Sequence, residues 1–172
     1  MNTVKIVSGK YRGRSLTAPG GGTHPMGARE KLALFNMIAP YLDGAMVLDA
    51  YAGSGALGIE ALSRNAKRVV FIEKNKVAAQ SIRKNLASLS LDGEIFTGAV
   101  KSYESQEGFD IILADPPYDN YDMDEVVSLV QYLKAEGIFV LSHPGEQIEI
   151  AGLEILKSNK YAAAHITIYI KH

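Results

Sequence analysis

The sequence has no cysteine, which excludes disulfides, thiolate metal ligands and cysteine nucleophiles. It has no apolar run approaching the roughly 20 residues needed to cross a bilayer, so no membrane role is expected. The opening Met1-Asn2-Thr3-Val4-Lys5 lacks the basic-then-apolar order of a signal peptide. A large net charge is also missing: the formal balance is −1, which taken whole argues against a nucleic-acid partner. What is present is a 172-residue chain, 47% hydrophobic and 22% charged, long enough for one domain with a core. A cytoplasmic enzyme or binding protein, expected to be a monomer, is the starting assumption.

The charge is unevenly spread. Residues 1–31 hold Lys5, Lys10, Arg12, Arg14, Arg29 and Lys31 against Glu30, a balance of +5, and the rest of the chain balances at −6. Local charge governs phosphate contacts, so the first segment is a candidate nucleic-acid contact; a solvated basic hairpin would look the same.

From Val47 onward, short apolar runs alternate with helical patterns. Val47-Leu48, Arg68–Ile72, Glu94–Thr97, Phe109–Ala114 and Ile138–Leu141 read as strands. Between them, Ala56–Leu62 reads as a helix. Asn75 is a candidate N-cap for a second helix whose inward face holds Val77, Ala78, Ser81, Ile82, Asn85, Leu86 and Leu89. A third helix, with Val126, Val127, Leu129, Val130 and Leu133 inward, is expected to end near Gly137 in a left-handed cap. Glu154–Lys157 and His165–Ile170 read as a closing pair of strands. Before this core come a hairpin (Val4–Val7 with Arg14–Leu16) and a helix from about Ala28 to Ile38, closed by Pro40. The expected organisation is a basic hairpin-helix extension over residues 1–40 and one α/β domain over residues 41–172. Such alternation means a parallel sheet covered on both faces, with ligands bound beyond the C-terminal strand ends.

Two of those strand ends carry chemistry. The first, Asp49-Ala50-Tyr51-Ala52-Gly53-Ser54-Gly55-Ala56-Leu57-Gly58, contains a G-x-G-x-x-G, with Glu73 placed 20 residues after Gly53. That pattern suits a dinucleotide as well as other adenosine ligands. Asp49, at the strand end, would repel a pyrophosphate and suits the sulfonium and ammonium groups of S-adenosylmethionine. The loop therefore favours the methyl donor over a nicotinamide cofactor.

The second strand end is Asp115-Pro116-Pro117-Tyr118. Two prolines stiffen the segment and stop it from continuing as a central strand. Stiffness lets the Asp115 carboxylate and the Asp115 and Pro116 carbonyls act as a fixed set of acceptors. An exocyclic amino group on a base is a pair of N–H donors. Accepting both on one side favours pyramidalisation and turns the nitrogen lone pair toward an electrophile. Tyr118 adds a face on which a base can stack, a contact worth roughly 1–3 kcal/mol. The residues point to methylation of an amino group and leave guanine N2 and adenine N6 both open. A non-catalytic RNA-binding module on the same fold remains a further alternative.

These two motifs, with Ile6-Val7-Ser8-Gly9-Lys10-Tyr11-Arg12-Gly13-Arg14 near the start and Leu34-Phe35-Asn36 in the first helix, closely resemble the bacterial RsmD family of 16S rRNA guanine-N2 methyltransferases. The resemblance implies a class I S-adenosylmethionine-dependent methyltransferase, Rossmann-like, with a mostly parallel seven-stranded sheet and an antiparallel strand near its C-terminal end. It implies cofactor contacts from Asp49, Tyr51, Ala52, Gly53, Ser54, Gly55, Glu73 and Lys74, with S-adenosylhomocysteine as product. It places the target guanine at Asp115, Pro116, Pro117 and Tyr118, and makes 16S rRNA, within the small ribosomal subunit or its assembly intermediate, the partner. Lys5, Lys10, Arg12, Arg14 and Arg29 would touch the RNA. The chain departs from the family pattern at His24-Pro25-Met26, where Arg-Pro-Thr is usual. It departs again at Ala99, which leaves the Val100 backbone N–H as the contact to the adenine ring, and at Ser142-His143, where an acid is common.

Of the remaining polar residues, His24 is a candidate RNA contact and His143 a candidate supporting group at the ligand edge. His165 and His172 read as structural, and Tyr11 and Tyr121 as packing residues. No histidine–carboxylate spacing suggests a metal site, and direct methyl transfer requires none.

Overall fold

The computed structural model describes residues 2–20, 25–162 and 164–172. Strands β1 (Asn2–Lys5) and β2 (Ser15–Ala18) form an antiparallel hairpin. Helix α1 (Ala28–Ile38) follows. The remaining elements are β3 (Met46–Ala50), α2 (Ala56–Ser63), β4 (Arg68–Glu73), α3 (Lys76–Ser88), β5 (Glu94–Thr97), β6 (Phe109–Ala114), α4 (Met123–Ser128), β7 (Leu133–His143), β8 (Glu154–Lys160) and β9 (His165–Ile170). They build a seven-stranded sheet in the order β5-β4-β3-β6-β7-β9-β8. Pairing is parallel from β5 to β7, and β9 runs antiparallel to both β7 and β8. This is the class I methyltransferase architecture that the sequence led us to expect. No helix among the described residues is long and apolar enough to cross a membrane.

Successive residues of the central strands serve opposite faces, as the two-residue period of a strand requires. In β4, Val69 and Phe71 join one apolar cluster with α1, α2 and α3, and Val70 and Ile72 join the other with Phe109, Val126 and Leu129. Ile6 and Leu16 from the hairpin segment and Leu34, Phe35 and Ile38 from α1 are buried in the first cluster beside Val47 and Val69. The N-terminal extension thus shares its core with the sheet.

That joint is reinforced by a buried carboxylate. Glu60 on α2 is 0% exposed and accepts the amides of Val7 and Ser8, both at 3.0 Å. Lys31, also 0% exposed, lies 3.8 Å from Glu60 and donates to the Lys5 carbonyl at 2.7 Å. These contacts explain why the hairpin strands differ from the expected Val4–Val7 and Arg14–Leu16. Pairing continues as far as Ile6 N–H to the Arg14 carbonyl at 3.0 Å, but Val7 and Ser8 turn their amides to Glu60.

The third expected helix is also corrected. It ends at Ser128, a 3-10 turn covers Leu129–Tyr132, and Leu133 already starts β7. Val127 is exposed. The left-handed residue is Glu136 (φ 61), not Gly137. Lys171 decides the outcome. Its backbone pairs with Glu136 N and Gly137 O, and its ammonium donates to the carbonyls of Val130 and Leu133, so strand pairing with the chain end replaces further helix. In α3, Asn75 caps as expected, accepting from Val77 and Ala78 N–H, but Val77 itself is 69% exposed.

Candidate active site

Strand register sets the site. Ile72 pairs with Ala50, Ala50 with Ala114, and Ala114 with Leu141. The next residue on each strand is Glu73, Tyr51, Asp115 and Ser142, so four side chains leave the sheet in one row at its C-terminal edge. Strand order reverses between β3 and β6, and crevices open at such switch points. Both sequence motifs flank this one.

The glycine loop has a separate task for each glycine. Gly53 (φ +58) would place a Cβ in open space, so its backbone faces the cleft. Gly55 (φ +81) occupies the left-handed conformation at the start of α2, which glycine adopts without strain. At Gly58 a Cβ would lie 2.3 Å from Phe71 and 2.9 Å from Val69, so its absence lets α2 approach β4. Tyr51 also has positive φ (61), a costly state for a tyrosine, and its hydroxyl donates to Glu125 on α4 at 3.0 Å. Burial and the Glu125 carboxylate raise the Tyr51 phenol far above its ordinary range, so it stays a donor.

The carboxylates differ sharply in setting. Asp49, expected to face a cationic ligand, is 1% exposed, and its Oδ2 accepts the Gly58 amide at 2.8 Å. As placed it holds the start of α2 under the loop. Burial raises it well above the usual carboxylate range, the Gly58 N–H opposes this, and Asp115 and Glu73 add to the rise. Glu73 is partly exposed and accepts Gly53 N–H on Oε2 at 2.7 Å and Asn75 N–H on Oε1 at 2.8 Å. Its oxygens are thereby fixed at the rim. Asp115 is partly buried, and burial pushes it up to about 6 against a hydrogen bond from Ser142. Pro116 is buried and Pro117 exposed, and Pro117 O accepts Asn120 N–H at 3.3 Å to close the turn. The Tyr118 hydroxyl is hydrogen-bonded to the Ser142 hydroxyl, which fixes its ring beside Asp115. Ala52 and Ser54 are buried in the loop, Lys74 is exposed at the rim, and Val100 opens a 3-10 turn after β5.

The sequence profile of the family described as conserved hypothetical protein 95 matches residues 4–170. The chain belongs to this family, the RsmD methyltransferases. The ribosomal RNA small subunit methyltransferase D of Haemophilus influenzae is 38% identical over 135 residues, which cover 74% of this chain and 70% of that protein. The solved structure of Escherichia coli yhhF matches with a TM-score of 0.89 and 30% identity over 99% of both chains. A Thermus thermophilus 16S rRNA N2 methyltransferase, RsmC, solved with AdoMet and guanosine, shares the fold (TM-score 0.73). It is 20% identical, over 99% of this chain and 50% of that one.

The other expected residues of this RsmD chain fall elsewhere. Lys10 lies over the Tyr11 ring at 5.4 Å, Lys5, Arg12 and Arg29 are exposed, and Arg14 donates to the Ser88 carbonyl at 3.1 Å. His24 lies outside the described residues. His143 is buried, stacked on His165 at 5.3 Å, and bonded to the Pro144 carbonyl and the Thr167 hydroxyl. Sequence reasoning gave no site role to Glu125 or Asn85 and marked Ser142 only as a departure from a common acid. Asn85 left a trace, as a polar residue with Ser81 on the inward helix face. Strand register brings Ser142 to Tyr118, and the α4 turn brings Glu125 to Tyr51, contacts that leave no mark in the local pattern.

Proposed function

We propose that this protein transfers a methyl group from S-adenosylmethionine to the exocyclic N2 of a guanine in 16S rRNA. Family membership supports rRNA methylation, and one arrangement carries the amino-group chemistry: Asp115-Pro116-Pro117-Tyr118 stands beside the glycine loop at the switch point of the sheet. The residues suit the cofactor. Glu73 offers two oriented carboxylate oxygens to ribose hydroxyls, and the Cβ-free side of Gly53 leaves room beside them. The first amide of the 3-10 turn, at Val100, has no acceptor within that turn and suits an adenine ring nitrogen. Asp49 serves by holding the loop, and Tyr51, Ala52, Ser54, Gly55 and Lys74 complete its wall.

When bound, S-adenosylmethionine would supply a sulfonium methyl group open to in-line attack by an amine nitrogen, with S-adenosylhomocysteine as the leaving group. The chain contributes positioning. The Asp115 carboxylate and the Asp115 and Pro116 carbonyls accept the amino N–H bonds, and Tyr118, anchored by Ser142, stacks on the base. With its carboxyl near 6, Asp115 is largely ionised at neutral pH and is the group that takes the proton from the product amine. The target base must be looped out or flipped to reach this edge. Residues 1–40 form the RNA-contacting extension of the catalytic part (41–172), with Lys5, Lys10, Arg12, Arg14 and Arg29 toward the small-subunit RNA or its assembly intermediate.

The test is transfer of labelled methyl to small-subunit rRNA by the wild type and by Asp115→Ala, with S-adenosylhomocysteine binding followed by calorimetry. Transfer by the wild type and loss in the variant, with binding retained, is the expected result. Stabilisation by NADH and not by S-adenosylhomocysteine, or no cofactor binding at all, contradicts the proposal.

A further inference from the structure

The charge asymmetry continues well past residue 31. Residues 1–91 carry thirteen basic and five acidic side chains, and residues 92–172 carry five and fourteen. Of the five acids, Asp49 and Glu60 are buried, and Glu73 is turned onto the amides of Gly53 and Asn75. Only Glu30 and Asp43 remain to balance the surface cations of that half.

Helix α3 carries the excess into the fold. Its 13 residues include no acid, and its solvent face presents Lys76, Arg83 and Lys84, with Lys74 just before it. Among the described residues none of these four forms an ion pair, and Arg83 bonds only to the neutral Thr97 hydroxyl at 3.3 Å. Several cations on other elements are paired, Arg68 with Glu94 and Glu107, Lys134 with Asp110 and Lys160 with Glu146, whereas α3 pairs none of its own among the described residues. No residue of α3 offers a carboxylate at the three- or four-residue spacing that would pair these cations along the helix. Lys76 at the first position also opposes the helix dipole. Asn75 caps the helix and Glu73 stands at its first turn, but the cations of the solvent face find no ion pair among the described residues, and such a face suits an anionic ligand.

The helix is fastened to the basic hairpin. Asn85, 3% exposed, accepts Thr17 N–H at 2.9 Å and donates to the Thr17 carbonyl at 2.9 Å. Its amide also donates to the Ser54 carbonyl in the glycine loop at 2.9 Å. Arg14 ties the hairpin to the far end of the helix at Ser88. The hairpin and α3 are therefore held rigidly side by side. The N-terminal end of α3 meets the glycine loop through Glu73, so this surface runs up to the rim of the site.

We infer that α3 is part of the nucleic-acid interface, with Lys76, Arg83 and Lys84 extending the hairpin contact into a track for the RNA phosphate backbone. The inference rests on the RNA reading above and deepens it. Lys76 to Lys84 span about 12 Å along the helix axis. The protein therefore holds phosphates beyond the nucleotide it modifies.

The test is binding of a 16S rRNA transcript across a salt series by the wild type, by Arg83→Ala with Lys84→Ala, and by a control pair on β8, Lys157→Ala with Lys160→Ala. Each phosphate contact contributes roughly 0.7–0.9 to the slope of log affinity against log salt. The α3 pair is expected to lose about 1.5 from that slope and to bind about tenfold more weakly at low salt, with S-adenosylhomocysteine binding intact. The control pair keeps the wild-type slope. An unchanged slope in the α3 pair, or an equal loss in the control, overturns the track while salt-dependent wild-type binding leaves the RNA reading standing. Absence of salt-dependent binding by the wild type overturns that reading and the track with it.

Discussion

The Gly53 amide donates to Glu73 Oε2 at 2.7 Å, so the tip of the glycine loop and the rim carboxylate hold each other in place. One residue is a backbone group facing the cleft and the other is the acid beside it. Neither can shift without moving the other.

Replacing Glu73 by alanine removes the ribose acceptor and releases the loop tip together. Hydrogen bonds to a charged group are worth about 1.5–3 kcal/mol each. S-adenosylhomocysteine affinity is expected to fall roughly tenfold to hundredfold in calorimetric titration. Glu73→Gln keeps one acceptor and is expected to lose less. Equal affinity for wild type and alanine variant places the cofactor elsewhere.

Gly53 and Gly58 separate ligand space from packing space. Gly58→Ala forces a methyl against Phe71 and Val69, and overpacking of this kind costs about 1–3 kcal/mol, read as a lower melting temperature. Gly53→Ala meets no neighbour, so its stability cost is the left-handed backbone alone, about 1–2 kcal/mol. Its larger effect is expected on cofactor affinity. A Gly58 variant with unchanged stability contradicts this division.

Asp115 gives the site a pH dependence of known sign. Burial lifts its carboxyl to about 6, above an unfolded value of roughly 3.9, so the folded state binds more protons between those limits. Stability contributed by this group is therefore present at low pH and is lost as pH rises from about 4 to 6. Methyl transfer needs the ionised acceptor and is expected to rise through the same upper limit. In Asp115→Asn the stability difference across that window shrinks and activity is low throughout. A wild-type rate that is flat across pH 6, measured with cofactor saturating, argues against Asp115 as the proton acceptor.

Glu60 is the joint between the extension and the sheet. Glu60→Ala leaves Lys31 buried without its partner and strands the Val7 and Ser8 amides, a cost of about 3–5 kcal/mol. Lys31→Met, which removes the other charge, is expected to be milder. Hydrogen exchange at Val7 and Ser8 should quicken in the glutamate variant before global unfolding. Unchanged exchange there shows that the apolar contacts of Ile6 and Leu16 hold the hairpin unaided.

Most of the sheet was legible because parallel strands buried on both faces are short continuous apolar runs, as in Arg68–Glu73 and Phe109–Ala114. The motif loops were legible because glycine and proline restrict the backbone directly. The stretch from Leu129 to Gly137 was misread because Lys171, 34 or more residues away, captures its backbone groups. The Tyr118–Ser142 contact and the orientation of Asp49 were hidden for the same reason: a register, not a local pattern, decides what each side chain meets.

The central claim is tested most directly by incubating small-subunit rRNA with the protein and labelled S-adenosylmethionine, digesting the RNA, and separating the nucleosides. Label is expected in N2-methylguanosine and is abolished by Asp115→Ala. Label in N6-methyladenosine, with none in N2-methylguanosine, contradicts it.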